Sequence, residues 1–205
     1  AGMVLNDYFD YETDLKERPN RPLPSGAIPR NRALFLGILF SCFSILAAGM
    51  VGIKSLIIAL ILVIAVFLYD GITKGIAGLG VFNMGLCRGL NITLGMSVVS
   101  IDVIQNKLPI AFILMIYIIL VTQLSKGEVS STRRIYGVVT ITGILGLTIA
   151  LIYLFFSSFF PHTTVFFLFM LAGFLMFVLP GLVFVIQQPM PSNIGKAVKN
   201  CLIAI

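Results

Sequence analysis

The chain reads as an all-α polytopic membrane protein, a bundle of about six to seven complete helices joined by short polar loops. Three observations predict that class. Hydrophobic residues make up 59% and charged residues only 11%, and the mean hydropathy is +1.07. Such a chain has too little polar surface to cover a soluble globule of 205 residues. Apolar runs near the length of a bilayer crossing recur along it, and the charges between them are strongly one-sided.

Taken in order, the predicted spans are 33–53, 55–69, 82–101, 109–124, 135–157 and 163–187, with residues 201–205 read as the start of another. Two of these, 55–69 and 109–124, are short for a crossing and must borrow residues from their flanks. The opening Ala1-Gly2-Met3-Val4-Leu5 is shaped like the end of a span. The expectation is therefore a single transmembrane domain over 1–205, truncated at both ends. Cys42, Cys87 and Cys201 lie in or beside apolar segments, where a thiol is ordinarily a small core hydrophobe, and no disulfide is expected. His162, after Pro161, reads as a loop residue without a role.

The net charge of +6 would suit an acidic partner, but its distribution points to a bilayer. Following the loops alternately, one face collects Lys16, Arg18, Arg21, Arg30, Arg32, Lys74, Arg88, Lys126, Arg133, Arg134, Lys196 and Lys199, and the other only Lys54 and Lys107. That bias marks the crowded face as cytoplasmic, and the expected location is the cell inner membrane with the polar loops inside. All acidic residues except Asp102 share that face. A nucleic-acid surface has no use for carboxylates interleaved with its cations, so no nucleic-acid partner is expected.

The first polar island runs from Asn6 through Asp7, Asp10 and Asp14 to Arg18-Pro19-Asn20-Arg21-Pro22-Leu23-Pro24-Ser25-Gly26. Spacings of three and four put the aspartates on one stripe of a helix about 10 Å long. Short carboxylates in a row suit Mg²⁺, which takes hard oxygen ligands and is commonly held by one or two carboxylates plus substrate phosphates. The bland alternative is a solvated acidic bend. Four prolines between 19 and 29 forbid a continuous helix, so the segment is a fixed loop carrying Arg18 and Arg21 towards the carboxylates. Pro29 is placed to open the next helix, with Arg30 and Arg32 at lipid headgroups.

The second island is Tyr69-Asp70-Gly71-Ile72-Thr73-Lys74-Gly75, continuing to Asn83-Met84-Gly85-Leu86-Cys87-Arg88-Gly89-Leu90-Asn91. Its glycines allow close backbone approach, and Lys74 is the best candidate to meet a phosphate. Gly85 and Gly89 form a small-xxx-small pair of the kind that packs helices in a bilayer. Arg88 and Asn91, in or near an apolar span, are expected to face a cavity or each other. The third island, Gln123 to Arg134, offers Lys126 and Glu128, and a plain loop explains it equally well.

These residues resemble the UbiA superfamily of intramembrane prenyltransferases. Asn6, Asp7, Asp10 and Asp14 match its N-D-x-x-D-x-x-x-D signature, and the following Arg-Pro-Asn-Arg-Pro-Leu-Pro-Ser-Gly resembles its R-P-x-P-x-G loop. Tyr69 and Lys74 stand where members often carry a tyrosine and a lysine, and the stretch from Asn83 to Asn91 is similar to the EboC-like subgroup. The resemblance implies a bundle of about nine helices around a central cavity open to the cytoplasmic face. It further implies a Mg²⁺-dependent transfer of an isoprenoid chain from a prenyl diphosphate to a lipophilic or aromatic acceptor. Asp7, Asp10 and Asp14 would then hold the metal and Lys74 the diphosphate, with Asn6, Arg18, Arg21, Tyr69, Arg88, Asn91, Lys126 and Glu128 binding substrate. One departure is clear: where members carry a second aspartate motif, Gln123 to Glu128 contain no aspartate. The competing expectation is a UbiA-like protein that binds an isoprenoid without transferring it. A transporter fits less well, because transport carboxylates gather near the bilayer midplane. A CDP-alcohol phosphotransferase is excluded, since no aspartate follows Asp70-Gly71 until Asp102.

Overall fold

The computed structural model describes residues 1–99, 101–127, 133–156 and 164–204. It is helical throughout, with no strand among the described residues, and divides into two compact units, Ala1–Lys107 and Leu108–Ile205.

The first unit begins with α1 (Gly2–Phe9) and α2 (Tyr11–Glu17). A continuous helix was expected through the aspartates. Instead Asp10, at φ −82° and ψ 2°, bends the chain while the amides of Asp10 and Asp14 still bond four residues back. Aspartate tolerates such a bend because its side chain offers bonding alternatives to a regular helix. After the proline loop, α3 (Arg30–Val51) and α4 (Ile53–Gly71) fold back on each other through Gly52 alone, at φ 153°. Only glycine adopts that backbone without strain. A 3₁₀ turn at Thr73–Gly75 leads into α5 (Leu79–Met96), and α6 (Ile101–Lys126) leaves the unit.

Packing in this unit relies on small and polar groups, as expected where lipid tails are as apolar as leucine. Leu5, fully buried, fills a notch over Gly37, where an added Cβ would stand 2.7 Å from its Cδ2. Buried Asn83 on α5 donates to the Ala65 carbonyl of α4 at 3.2 Å and to the Thr73 hydroxyl at 3.0 Å. The Ser55 and Ser97 hydroxyls share a buried bond of 2.7 Å. Gly85 and Gly89 lie on the buried face of α5.

The second unit contains the remainder of α6, α7 (Arg133–Leu154), α8 (Thr164–Gln187) and α9 (Pro191–Ile203). Thr140 on α7 donates to the Tyr136 carbonyl at 2.8 Å and reaches the Leu120 carbonyl of α6 at 3.4 Å. Tyr117 of α6 donates to the Cys201 carbonyl of α9 at 2.9 Å. Residues 201–203, expected to open a new span, are helical and continuous with α9. This helix buries Asn193, Ile194, Ala197 and Cys201 on one side and exposes Lys196 and Lys199 on the other.

Five helices among the described residues are long and apolar enough to cross a membrane: 30–51, 53–71, 107–126, 134–154 and 164–187. They correspond to five of the expected spans, and the short ones do extend into their flanks. The sixth, expected at 82–101, is a helix over 79–96 whose Asn83, Arg88 and Asn91 make it less apolar than the others. Large apolar side chains point outward, Phe35 at 65% and Phe43 at 71% exposure among them. Outward phenylalanines on this scale suit lipid and not water. The protein is an integral membrane protein of the all-α class.

Candidate functional site

The polar residues of the first unit converge where α1, α2, the proline loop and the Thr73–Gly75 turn meet. Asn6 donates to Asp10 Oδ2 at 2.8 Å, which turns its own carbonyl oxygen towards Lys74. Lys74 Nζ donates to that Asn6 Oδ1 at 3.0 Å and to Asp10 Oδ2 in an ion pair. Arg21 Nη1 bridges two carboxylates, Asp14 Oδ2 at 2.7 Å and Asp7 Oδ1 at 3.3 Å. The hydrogen bond to Asp14 holds the Arg21 guanidinium above its ordinary pKa, against the opposing effect of desolvation. Asp14 is the inner member of the row, its side chain 7% exposed, against 25% for Asp10 and 44% for Asp7.

Local sequence explains the arrangement. The proline loop closes on its own backbone, with the Ser25 amide bonding the Arg21 carbonyl at 2.9 Å and the Ile28 amide the Pro22 carbonyl at 3.0 Å. That closure fixes Arg21 beside α2. Lys74 is fixed by contact of its turn with α5: a Cβ on Gly80 would fall 2.7 Å from the Thr73 carbonyl oxygen and 3.0 Å from that of Lys74. No residue larger than glycine fits there without moving the turn. Arg30, expected at lipid headgroups, lies over the rings of Tyr8 and Tyr11 at 4.8 and 4.9 Å and pairs with Glu12 at 3.6 Å. It ties the start of α3 to the bend at Asp10. Its aromatic partners sit only three residues apart, a pairing that a search for charged motifs passes over.

A cavity of about 720 Å³ opens beside the cluster. Asn6, Asp7 and Arg21 stand at it together with Tyr69 and Asp70, and Arg88 and Asn91 line it from α5. Its remaining wall includes Leu62, Val63, Val66 and Met84. The arrangement therefore offers a charged end beside apolar surface.

Of the expected site residues, Asn6, Asp7, Asp10, Asp14, Arg21 and Lys74 come together, and Tyr69, Arg88 and Asn91 line the adjoining cavity. Arg18 does not join them: it is exposed and makes no side-chain hydrogen bond or ion pair among the described residues. Lys126 ends α6 in the second unit, and Glu128 lies outside the described residues. Asp70 was not singled out from the sequence. A carboxylate in the last turn of an apolar span was the available signal.

No three of the described His, Cys, Asp and Glu side chains already converge as a ready metal cage, because Arg21 and Lys74 stand between the aspartates. The donor set still fits Mg²⁺ in its usual mode of one or two carboxylates completed by phosphate and water. Asp7 and Asp10 keep accessible oxygens for that purpose, whereas Asp14 is committed to Arg21.

The sequence profile of the UbiA prenyltransferase family matches residues 1–190. Among curated relatives, digeranylgeranylglyceryl phosphate synthase of Thermococcus sibiricus is 46% identical over 68 residues, 33% of this chain and 24% of that protein. The enzyme of the same name from Methanosphaera stadtmanae is 28% identical over 137 residues, 67% of this chain and 48% of its own length. The chain thus matches about a quarter to a half of the length of these relatives. A solved structure from work on digeranylgeranylglyceryl phosphate synthase in membranes superposes with a TM-score of 0.68 at 23% identity, covering 99% of this chain and 76% of that one. At that identity the likeness is one of fold.

Proposed function

The chain belongs to the UbiA prenyltransferase family, and from that premise we propose that it is a membrane-embedded prenyltransferase. It moves an isoprenoid chain from a prenyl diphosphate to a lipophilic or aromatic acceptor, with Mg²⁺ as cofactor and the site open to the cytoplasm. One observation carries this reading: two carboxylates with free oxygens and two basic side chains cluster beside an apolar-walled cavity, at which Asp7 and Arg21 stand.

Asp7 and Asp10 are the residues that would hold Mg²⁺, with Asp14 steering Arg21 beside them. When bound, the metal neutralises the diphosphate and improves it as a leaving group. Arg21 and Lys74 donate to phosphate oxygens, Arg21 as a planar fork and Lys74 as a point charge. Both stabilise the negative charge that grows as the allylic C–O bond breaks and its electron pair leaves with the diphosphate. Arg88 and Asn91, further along the cavity wall, orient the acceptor, and Tyr69 lines the path between. The apolar wall at Leu62, Val63, Val66 and Met84 houses the isoprenoid and keeps water from the allylic carbon.

A second reading, an isoprenoid-binding protein without transfer, is favoured by the lack of any aspartate between Gln123 and Glu128. The relatives named as synthases favour the catalytic reading. Diphosphate release separates the two. In lipid nanodiscs with Mg²⁺, the protein should release diphosphate from at least one of a panel of prenyl donors, and Asp10→Asn should slow this about 10²-fold. No release across donor lengths and acceptors would leave the binding protein.

A further inference from the structure

The carboxylates of the site are already matched to cations. Lys74 occupies Asp10 Oδ2 and Asn6 Oδ1, and Arg21 occupies Asp14 Oδ2 and Asp7 Oδ1. The groups suited to hold phosphate therefore sit on the same carboxylates that are suited to hold a metal, taking one oxygen of each. This has different consequences for the two ligands arriving separately. A divalent cation alone meets an ammonium group bonded to the very carboxylate it needs, and like charges at that range repel. A diphosphate alone must draw Lys74 away and strand the half-buried Asp10 carboxylate without its partner, which is costly. Arriving together, each ligand supplies the partner that the other removes.

Resting on the reading of this cluster as a diphosphate site, we infer that Lys74 is a resident counter-ion as well as a phosphate ligand, and that it makes the site select the metal–diphosphate complex over either component. Formal charge supports the inference. Asp7, Asp10 and Asp14 against Arg21 and Lys74 leave one excess negative charge. A divalent cation alone reverses that sign. A diphosphate alone, adding about three negative charges at neutral pH, deepens it severely; the pair together changes it least. Asn6 completes the device, because its amide donates to Asp10 while its carbonyl accepts from Lys74, so both ends of the ion pair stay in register with α1. Arg21 can leave Asp7 more readily than Asp14, since its bond to Asp7 is the longer one.

The test is metal binding, with no turnover needed. Mg²⁺ is titrated into the protein in lipid nanodiscs, with and without saturating inorganic pyrophosphate, at buffered free metal. Wild type should bind Mg²⁺ weakly alone and at least about tenfold more tightly with pyrophosphate, a coupling of ordinary size between two ligands. Lys74→Gln should bind Mg²⁺ alone more tightly than wild type, by about tenfold, and lose most of the coupling. Lys74→Arg, which keeps the charge, should retain the coupling and guards against a merely misfolded glutamine variant. An unchanged or weaker intrinsic Mg²⁺ affinity in Lys74→Gln, with coupling intact, would overturn the counter-ion role while leaving the site standing. Metal binding that ignores both pyrophosphate and Asp10→Asn would remove the diphosphate site itself.

Discussion

Gly80 touches no substrate, yet the structure gives it control over Lys74. A Cβ there would lie 2.7 Å from the Thr73 carbonyl oxygen, 3.0 Å from that of Lys74 and 3.1 Å from the Lys74 Cα. These are backbone atoms, which cannot rotate aside as a side chain would. Restoring ordinary contact at 3.4 Å moves the 3₁₀ turn by about 0.7 Å away from α5. Such a shift stretches the Asn83–Thr73 bond, 3.0 Å, to about 3.7 Å, beyond hydrogen-bond reach, and displaces the Lys74 backbone by the same amount. Losing the Asn83 bond costs about 0.5–1.5 kcal/mol, and replacing a helical glycine by alanine returns roughly 0.5–1 kcal/mol. Stability should therefore change little in Gly80→Ala. Binding should change more, because a displacement approaching 1 Å at a phosphate ligand weakens the complex by about tenfold, or 1.4 kcal/mol. The assay is affinity for a non-hydrolysable prenyl diphosphate with Mg²⁺, beside the thermal midpoint of the same sample. Wild-type affinity in Gly80→Ala would show that contact with α5 does not set the position of Lys74.

The two arginines of the proline loop should behave differently. Arg21→Ala should weaken prenyl diphosphate binding about tenfold or more, since a charge-assisted bridge to Asp7 and Asp14 is lost, whereas Arg18→Ala should stay within twofold; equal losses would mean that both guanidinium groups reach the ligand. Ser97→Ala leaves the buried Ser55 hydroxyl without its partner and should cost about 0.5–1.5 kcal/mol in a reversible unfolding measurement, with Mg²⁺-dependent binding unaltered. A loss of binding there would show that the far end of α4 and α5 communicates with the site.

The sequence carried the membrane class and most helices because hydropathy reports burial in lipid directly. It also carried the polar cluster, since charge at a membrane edge is costly and stands out against an apolar background. The bend at Asp10 was not legible: spacings of three and four fit an unbroken helix, and Asp10 departs from one while bonded to Asn6 and to Lys74, 64 residues away. Helix α9 escaped a search for uniformly apolar runs because its apolar face alternates with Lys196 and Lys199. Arg30 was assigned to headgroups by position, and only the fold brings Tyr8 and Tyr11 beneath it. Arg21 and Arg18 look alike in the sequence. The turn that begins at Arg18 is what points one at the carboxylates and leaves the other in solvent.

The central claim is that Asp7 and Asp10 join a divalent metal to a prenyl diphosphate, and equilibrium binding tests it most directly. A labelled non-hydrolysable prenyl diphosphate is titrated against the protein in nanodiscs with Mg²⁺ and then with the metal chelated. The account predicts tight binding that chelation weakens by at least about tenfold, and an Asp10→Asn variant whose weaker binding no longer responds to Mg²⁺. Equal affinity with and without Mg²⁺, or full metal dependence surviving in Asp10→Asn, would contradict it.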